Sequence, residues 1–163
     1  MSTDVETSEY RFEKRRIAAA VMLSGGRTLR GHLFLGASSK HDGPERVIDL
    51  LNSEAGFFPL EVDGEDGPEI VLLNRAQVMT VTVPDNEASL EPGYNIARRR
   101  AAAIVLAGNH RLTGLVRVYR PEGRDRLSDW TRQPETFRYL EADDMTVIVN
   151  IAHVVEMSEI ILL

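Results

Sequence analysis

Apolar and polar positions along this chain follow one pattern, and the pattern is written twice. The run Ile70-Val71-Leu72-Leu73 meets a polar corner, Asn74-Arg75-Ala76-Gln77, and a second run begins at Val78. Near the other end, Thr146-Val147-Ile148-Val149, Asn150-Ile151-Ala152-His153 and the run from Val154 to Met157 repeat it. Short runs of apolar and β-branched residues bounded by turn residues predict strands. Each copy therefore reads as a strand, a tight corner, and a second strand leaving in a new direction.

The earlier segments recur as well. Lys14-Arg15-Arg16 opens the run Ile17 to Leu23, a turn at Ser24-Gly25-Gly26 and an arm ending at Leu35; Arg98-Arg99-Arg100 opens the matching segment, with Gly25, Leu29 and Gly31 falling on Gly108, Leu112 and Gly114. Glycines supply the positive φ of a hairpin turn. In the second arm Leu29, Leu33 and Leu35 share one face, Arg30 and His32 the other, as a strand requires. Ala18-Ala19-Ala20 alone favours helix, but the β-rich context and the turn just beyond predict a strand. A mid-strand glycine in both copies predicts a sharp bend or a close backbone approach, as in the curved strand of a small barrel.

Asp42, Pro44 and Glu45 signal a helix start, and Val47, Leu50 and Leu51 share a helical face, predicting a turn or two of helix, matched by Arg126 to Arg132. Phe57 to Val62, matched by Phe137 to Ala142, is the third strand; Pro59 cannot donate to a ladder and marks an edge or an interruption. The boundaries that follow are an acidic disordered tail at 1–13, a first repeat at 14–83, a linker at 84–97 with its two prolines, and a second repeat at 98–163. The apolar end Ile160-Ile161-Leu162-Leu163 is expected to dock on the other repeat or on a second subunit.

Composition changes this picture little. With 43% hydrophobic and 27% charged residues in 163, the chain can pack a core. It has no cysteine, so neither disulfides nor thiolate chemistry is expected. The polar, acidic start is unlike a secretory signal, and no apolar run is long enough to cross a bilayer, so a cytoplasmic location without membrane partners is expected. The net charge of -6 comes from the tail and the linker, at -3 each, while the repeats stand at -1 and +1. A local basic patch on either repeat is compatible with those totals.

Candidate chemistry is sparse. The four histidines, His32, His41, His110 and His153, share no metal-ligand spacing, so no metal is expected. The acidic turn Asp63 to Asp66 lacks the alternating ligands of a calcium loop. No nucleophile elbow, phosphate loop or recurring carboxylate pair is present, which argues against an enzyme or a cofactor. Trp130 replaces Leu50 of the first copy and reads as a core or interface aromatic. Asn74 and Asn150 could hydrogen-bond a base, but asparagine is foremost the residue that tolerates such a corner.

Five short strands with a bend after the fourth resemble the Sm-like small β-barrel. The resemblance rests on Gly25-Gly26-Arg27-Thr28-Leu29-Arg30-Gly31, similar to the family's first motif, on Asp49-Leu50-Leu51-Asn52, similar to its Asp-containing loop, and on Leu73-Asn74-Arg75-Ala76-Gln77-Val78 at the corner of its second motif. The pattern departs where Asn52 becomes Arg132 and Asn74-Arg75 becomes Asn150-Ile151. The resemblance implies an all-β chain of two tandem five-stranded Sm-like barrels, each with a short helical turn between strands two and three. The expected function is non-enzymatic: binding and assembly into a homo-oligomer, a dimer or a higher ring, through strand edges and the apolar C-terminus. The alternative is single-stranded RNA binding, with Asn74, Arg75, Asn150 and His153 at the corners and Arg15, Arg16, Arg99 and Arg100 at the strand entries as candidate contacts.

Overall fold

A computed structural model describes residues 14–36, 43–119, 123 and 126–161. The tail at 1–13, His41 and the last two leucines lie outside the described residues. The first repeat contributes strands β1 (Lys14–Leu23), β2 (Thr28–Gly36), β3 (Phe57–Gly64), β4 (Gly67–Asn74) and β5 (Val78–Val83), with helix α1 (Val47–Asn52) between β2 and β3. The second contributes β6 (Arg98–Leu106), β7 (His110–Val118), β8 (Phe137–Ala142), β9 (Met145–Asn150) and β10 (Val154–Glu159), with α2 (Leu127–Thr131) in the equivalent place. No helix among the described residues is long and apolar enough to cross a membrane.

All ten strands belong to one antiparallel sheet, in the order β10-β6-β7-β8-β9-β5-β1-β2-β3-β4. Each repeat thus follows one order, fifth, first, second, third, fourth. The strands form one continuous sheet, and that sheet is not closed. The fourth and fifth strands of a repeat do not pair with each other; β5 and β9 pair instead, fusing the repeats and leaving the sheet open at β4 and β10.

Local chemistry explains the repeated unit. Gly25 and Gly26 both hold positive φ in the first hairpin turn, and Gly108 and Asn109 do so in its counterpart. The predicted close approach is found at the mid-strand glycines: a Cβ on Gly31 would lie 2.1 Å from the Glu61 carbonyl oxygen, and one on Gly114 would lie 2.6 Å from that of Glu141. Strand three crosses strand two at these points, where the pairing shrinks to His32 with Glu61 and Leu115 with Glu141. At the corners, a single 3-10 turn separates strands four and five, and the Asn74 and Asn150 side-chain oxygens accept from the amides of Ala76 and Ala152, at 3.1 and 3.0 Å. Asparagine mimics a backbone turn in this way.

Two apolar cores result. The first gathers Val21, Leu33, Leu35, Leu51, Phe58 and Leu60 and also takes in Phe137 and Ile148 from the second repeat. The second gathers Ile104, Leu106, Val116, Trp130 and Leu140 and takes in Met79 from the first. Trp130 is therefore a core residue. At the C-terminal end the Ile160 amide donates to the Ala101 carbonyl of its own repeat, at 2.8 Å, and Ile161 is exposed. The ladder between β10 and β6 simply continues one residue further, which satisfies that backbone group locally.

Candidate functional site

The joint between the repeats is built from both backbone pairing and side-chain hydrogen bonds. Along it Thr80, Val81, Thr82 and Val83 stand opposite Val149, Ile148, Val147 and Thr146. Side chains clamp the joint at its Val78 and Asn150 end. The Asn52 amide donates to the Phe137 carbonyl at 3.0 Å and its oxygen accepts from the Phe137 N–H at 2.9 Å, so one asparagine completes both backbone groups of a residue on the other repeat. The Asn150 amide donates to the Val78 carbonyl at 2.9 Å, and His153 Nε2 lies 2.7 Å from the Ala76 carbonyl.

The linker reinforces the joint from the side. The Glu87 carboxylate accepts from the amides of Val47 and Ile48, at 3.0 and 3.1 Å, closing the first turn of α1, and from the Tyr139 hydroxyl at 3.0 Å. Helix starts leave such amides without intrahelical partners. Burial pushes the Glu87 carboxyl above its ordinary value, against the pull of its hydrogen bonds, and burial followed by the Glu87 charge pushes the Tyr139 hydroxyl upward too. Beside the joint, an open groove of ≈ 610 Å³ is floored by Ala18 and Ala20 and edged by Arg30, His32, Thr80 and Met145.

The register of the repeats shows what the open edges hold. In β5, Val78 pairs with Leu23, a bulge follows at Met79, and Thr80 pairs with Met22; in β10, Val154 pairs with Leu106, the bulge falls at Val155, and Glu156 pairs with Val105. Phe57 stands opposite Asn74 as Phe137 stands opposite Asn150, and Leu72 occupies the place of Ile148. Residues that cross the joint are buried: Phe137 is 2%, Ile148 0% and Met79 1% exposed. Their counterparts Phe57, Leu72 and Val155 are 60%, 65% and 71% exposed. The open edges thus carry the apolar contacts of a joint with no strand against them.

The residues singled out by sequence fall into four groups. Asn150 and His153 serve the joint. Arg75 is buried in the first repeat, donating from Nη2 to the Leu50 carbonyl at 3.0 Å and from Nη1 to that of Phe57 at 2.8 Å. At the strand entries Arg15 donates to the Glu45 carbonyl at 3.0 Å, Arg16 pairs with Glu61, Arg100 lies 3.6 Å from Glu159, and Arg99 is exposed. Arg15 and Arg16 thus make their contacts with Glu45 and Glu61, not with the corner residues. Asn74 is half-buried with its oxygen used in the corner, and its amide nitrogen has no partner among the described residues.

The departure of Ile151 from Arg75 also has a structural account. In the second repeat Arg138, at the position of Phe58, donates to the Trp130 and Gln133 carbonyls and to that of Glu135, at 2.8 Å for the last. Trp130 and Leu50 are equivalent, so both repeats hold the end of the short helix with a buried guanidinium, delivered from different strands. Each guanidinium also lies over an aromatic ring, Phe58 at 5.4 Å and Trp130 at 5.2 Å.

Asn52, Phe137 and Met79 are the joint residues that sequence reasoning did not assign. The signal existed in the exchange of Asn52 for Arg132 and in the unequal polarity of the two fifth strands. Among the described residues no three His, Asp or Glu side chains are placed to hold a metal ion. Comparison with known proteins finds no matching family model, no matching curated protein and no matching solved structure.

Proposed function

We propose that this chain is a non-enzymatic assembly module, two Sm-like barrels in tandem, that adds copies of itself through its open strand edges. One observation carries the reading: the apolar residues that cross the internal joint have counterparts that stand exposed at β4 and β10. An unpaired edge with apolar side chains invites strand addition, with main-chain hydrogen bonds supplying affinity and side-chain faces supplying selectivity. Because β4 differs from β10, the contact is head-to-tail, and head-to-tail contacts close into rings or run on as filaments.

The test uses two variants that each spoil one edge. Leu72→Asp blocks β4 and leaves β10 intact; Val155→Asp does the reverse. Multi-angle light scattering should show assemblies for the unmodified chain, monomers for each variant alone, and a 1:1 complex that grows no further when the two are mixed. Absence of that complex removes the edge reading. A single-stranded oligonucleotide retained at low salt, released steeply by salt and lost in Arg99→Ala would favour the RNA reading instead.

A further inference from the structure

Resting on that edge-pairing reading, we infer that β4 and β10 of successive copies meet in the register of the internal joint, and that Glu156 gates the contact. Carrying the β5–β9 register over to the open edges sets Glu156 opposite the second copy's Leu73, Met157 opposite its Leu72, Ser158 opposite its Val71 and Glu159 opposite its Ile70. The Asn74 amide of the second copy then reaches the Val154 carbonyl, as Asn150 reaches Val78 inside the chain. This assigns a role to the nitrogen that has no partner in one copy.

The two joints differ at one decisive place. Position 80 holds a threonine, 5% exposed within the internal joint, and its counterpart is Glu156. Seating a second copy there takes a carboxylate out of water between Leu73 and its neighbours. A charge removed from water without a partner is costly, and the group answers by holding its proton.

The surroundings offer little relief. In the row through Glu156, β6 presents Val105 and β7 presents Arg111 one strand further, while the incoming edge presents Leu73 and then Phe58. The acids beside the joint are Glu159, which has Arg100 at 3.6 Å, and the second copy's Glu69 and Glu61, the latter paired with its Arg16. Arg75 of the incoming copy is committed to the Leu50 and Phe57 carbonyls. Association therefore takes up a proton at Glu156: it tightens as pH falls and loosens as pH rises, while the internal joint, with Thr80, is indifferent.

Sedimentation velocity from pH 5.5 to 8 on the full chain, on Glu156→Thr and on Glu156→Gln tests this. The unmodified chain should bind itself about tenfold more tightly or better at the acid end, with about one decade for each unit by which the joint holds the carboxyl above pH 5.5. Glu156→Thr, which copies the internal joint, should bind at pH 8 as tightly as the unmodified chain does in acid, with no pH dependence, and Glu156→Gln should share the flat profile. Leu72→Asp should stay monomeric throughout, which separates edge pairing from loss of net charge near the sequence pI of about 5.3. Assembly of the unmodified chain that is pH-independent, or equal in Glu156→Thr, overturns the gate and leaves edge pairing standing. No assembly of any of the three at any pH, or assembly of Leu72→Asp, overturns edge pairing itself.

Discussion

Replacing Asn52 by alanine removes the side chain that completes both backbone groups of Phe137. That residue is buried, so neither its N–H nor its carbonyl gains water in exchange. Leaving a buried donor or acceptor unmade costs about 1–3 kcal/mol. Two such groups, with partial relaxation of the loop, give a loss of ~3 kcal/mol. For a chain of this size each kcal/mol shifts the melting temperature by roughly 2–4 °C, so Tm should fall by roughly 6–12 °C in calorimetry. Arg132→Ala at the equivalent place is the control. Its side chain is exposed and touches Asp129 only at 3.9 Å, so the change should stay within about 0.5 kcal/mol. A melting curve for Asn52→Ala that overlies the unmodified one would refute the claim that this asparagine clamps the repeats, as would equal losses in the two variants.

Gly31→Ala drives a Cβ against the Glu61 carbonyl and should cost ~2 kcal/mol or more; Gly114→Ala, with a wider approach, should cost less in the same urea titration. Arg75→Met keeps the apolar stem but removes the guanidinium from the Phe57 carbonyl and leaves the Leu50 carbonyl only the Ser53 hydroxyl, and should lower stability by about 1–3 kcal/mol while leaving the strand content seen by circular dichroism unchanged. Glu87 gives a pH signature: its folded pKa lies above the unfolded one, so the stability linked to its proton is fully present below the ordinary glutamate value of 4.5 and is lost as pH rises through the folded pKa. The advantage of the unmodified chain over Glu87→Gln should therefore shrink from pH 4.5 to pH 8 in denaturant midpoints.

The strands, the two short helices and the repeat were legible because each rests on local chemistry. Period-two alternation, glycines at positive φ and an asparagine closing its own corner are written within a few residues of where they act. Gly31 and Gly114 could be read as points of close approach because a mid-strand glycine has few other uses. The joint was not legible. Val81 and Met157 look alike as strand residues, and nothing near either says that one is covered by β9 and the other is open. Whether a strand closes on its own repeat or takes a partner from the next is a tertiary choice, and a pattern with period two is satisfied by both. Arg75 misled for a related reason: an arginine in a corner reads as a solvent-facing contact, and only the position of the Leu50 carbonyl shows it turned inward.

The divergence of the two copies follows the demands of each place. The end of the short helix needs a guanidinium in both, and the first repeat supplies it from the corner at Arg75 while the second supplies it from β8 at Arg138. Phe58 and Ile151 fill the positions so released, and Trp130 supplies in the second repeat the aromatic face that Phe58 supplies in the first. Substituting one member of such a set should be worse than exchanging the set together, because a lone Phe58→Arg would place a second buried cation beside Arg75. The fifth strands diverged without any such compensation inside the chain. Threonine and valine at 80 and 83 are buried in the internal joint, whereas the glutamates at 156 and 159 stand exposed at the open edge. Phe57, Leu72 and Val155 are apolar and Glu156 is charged at the same open edges, a combination that the proposed reversible contact would satisfy.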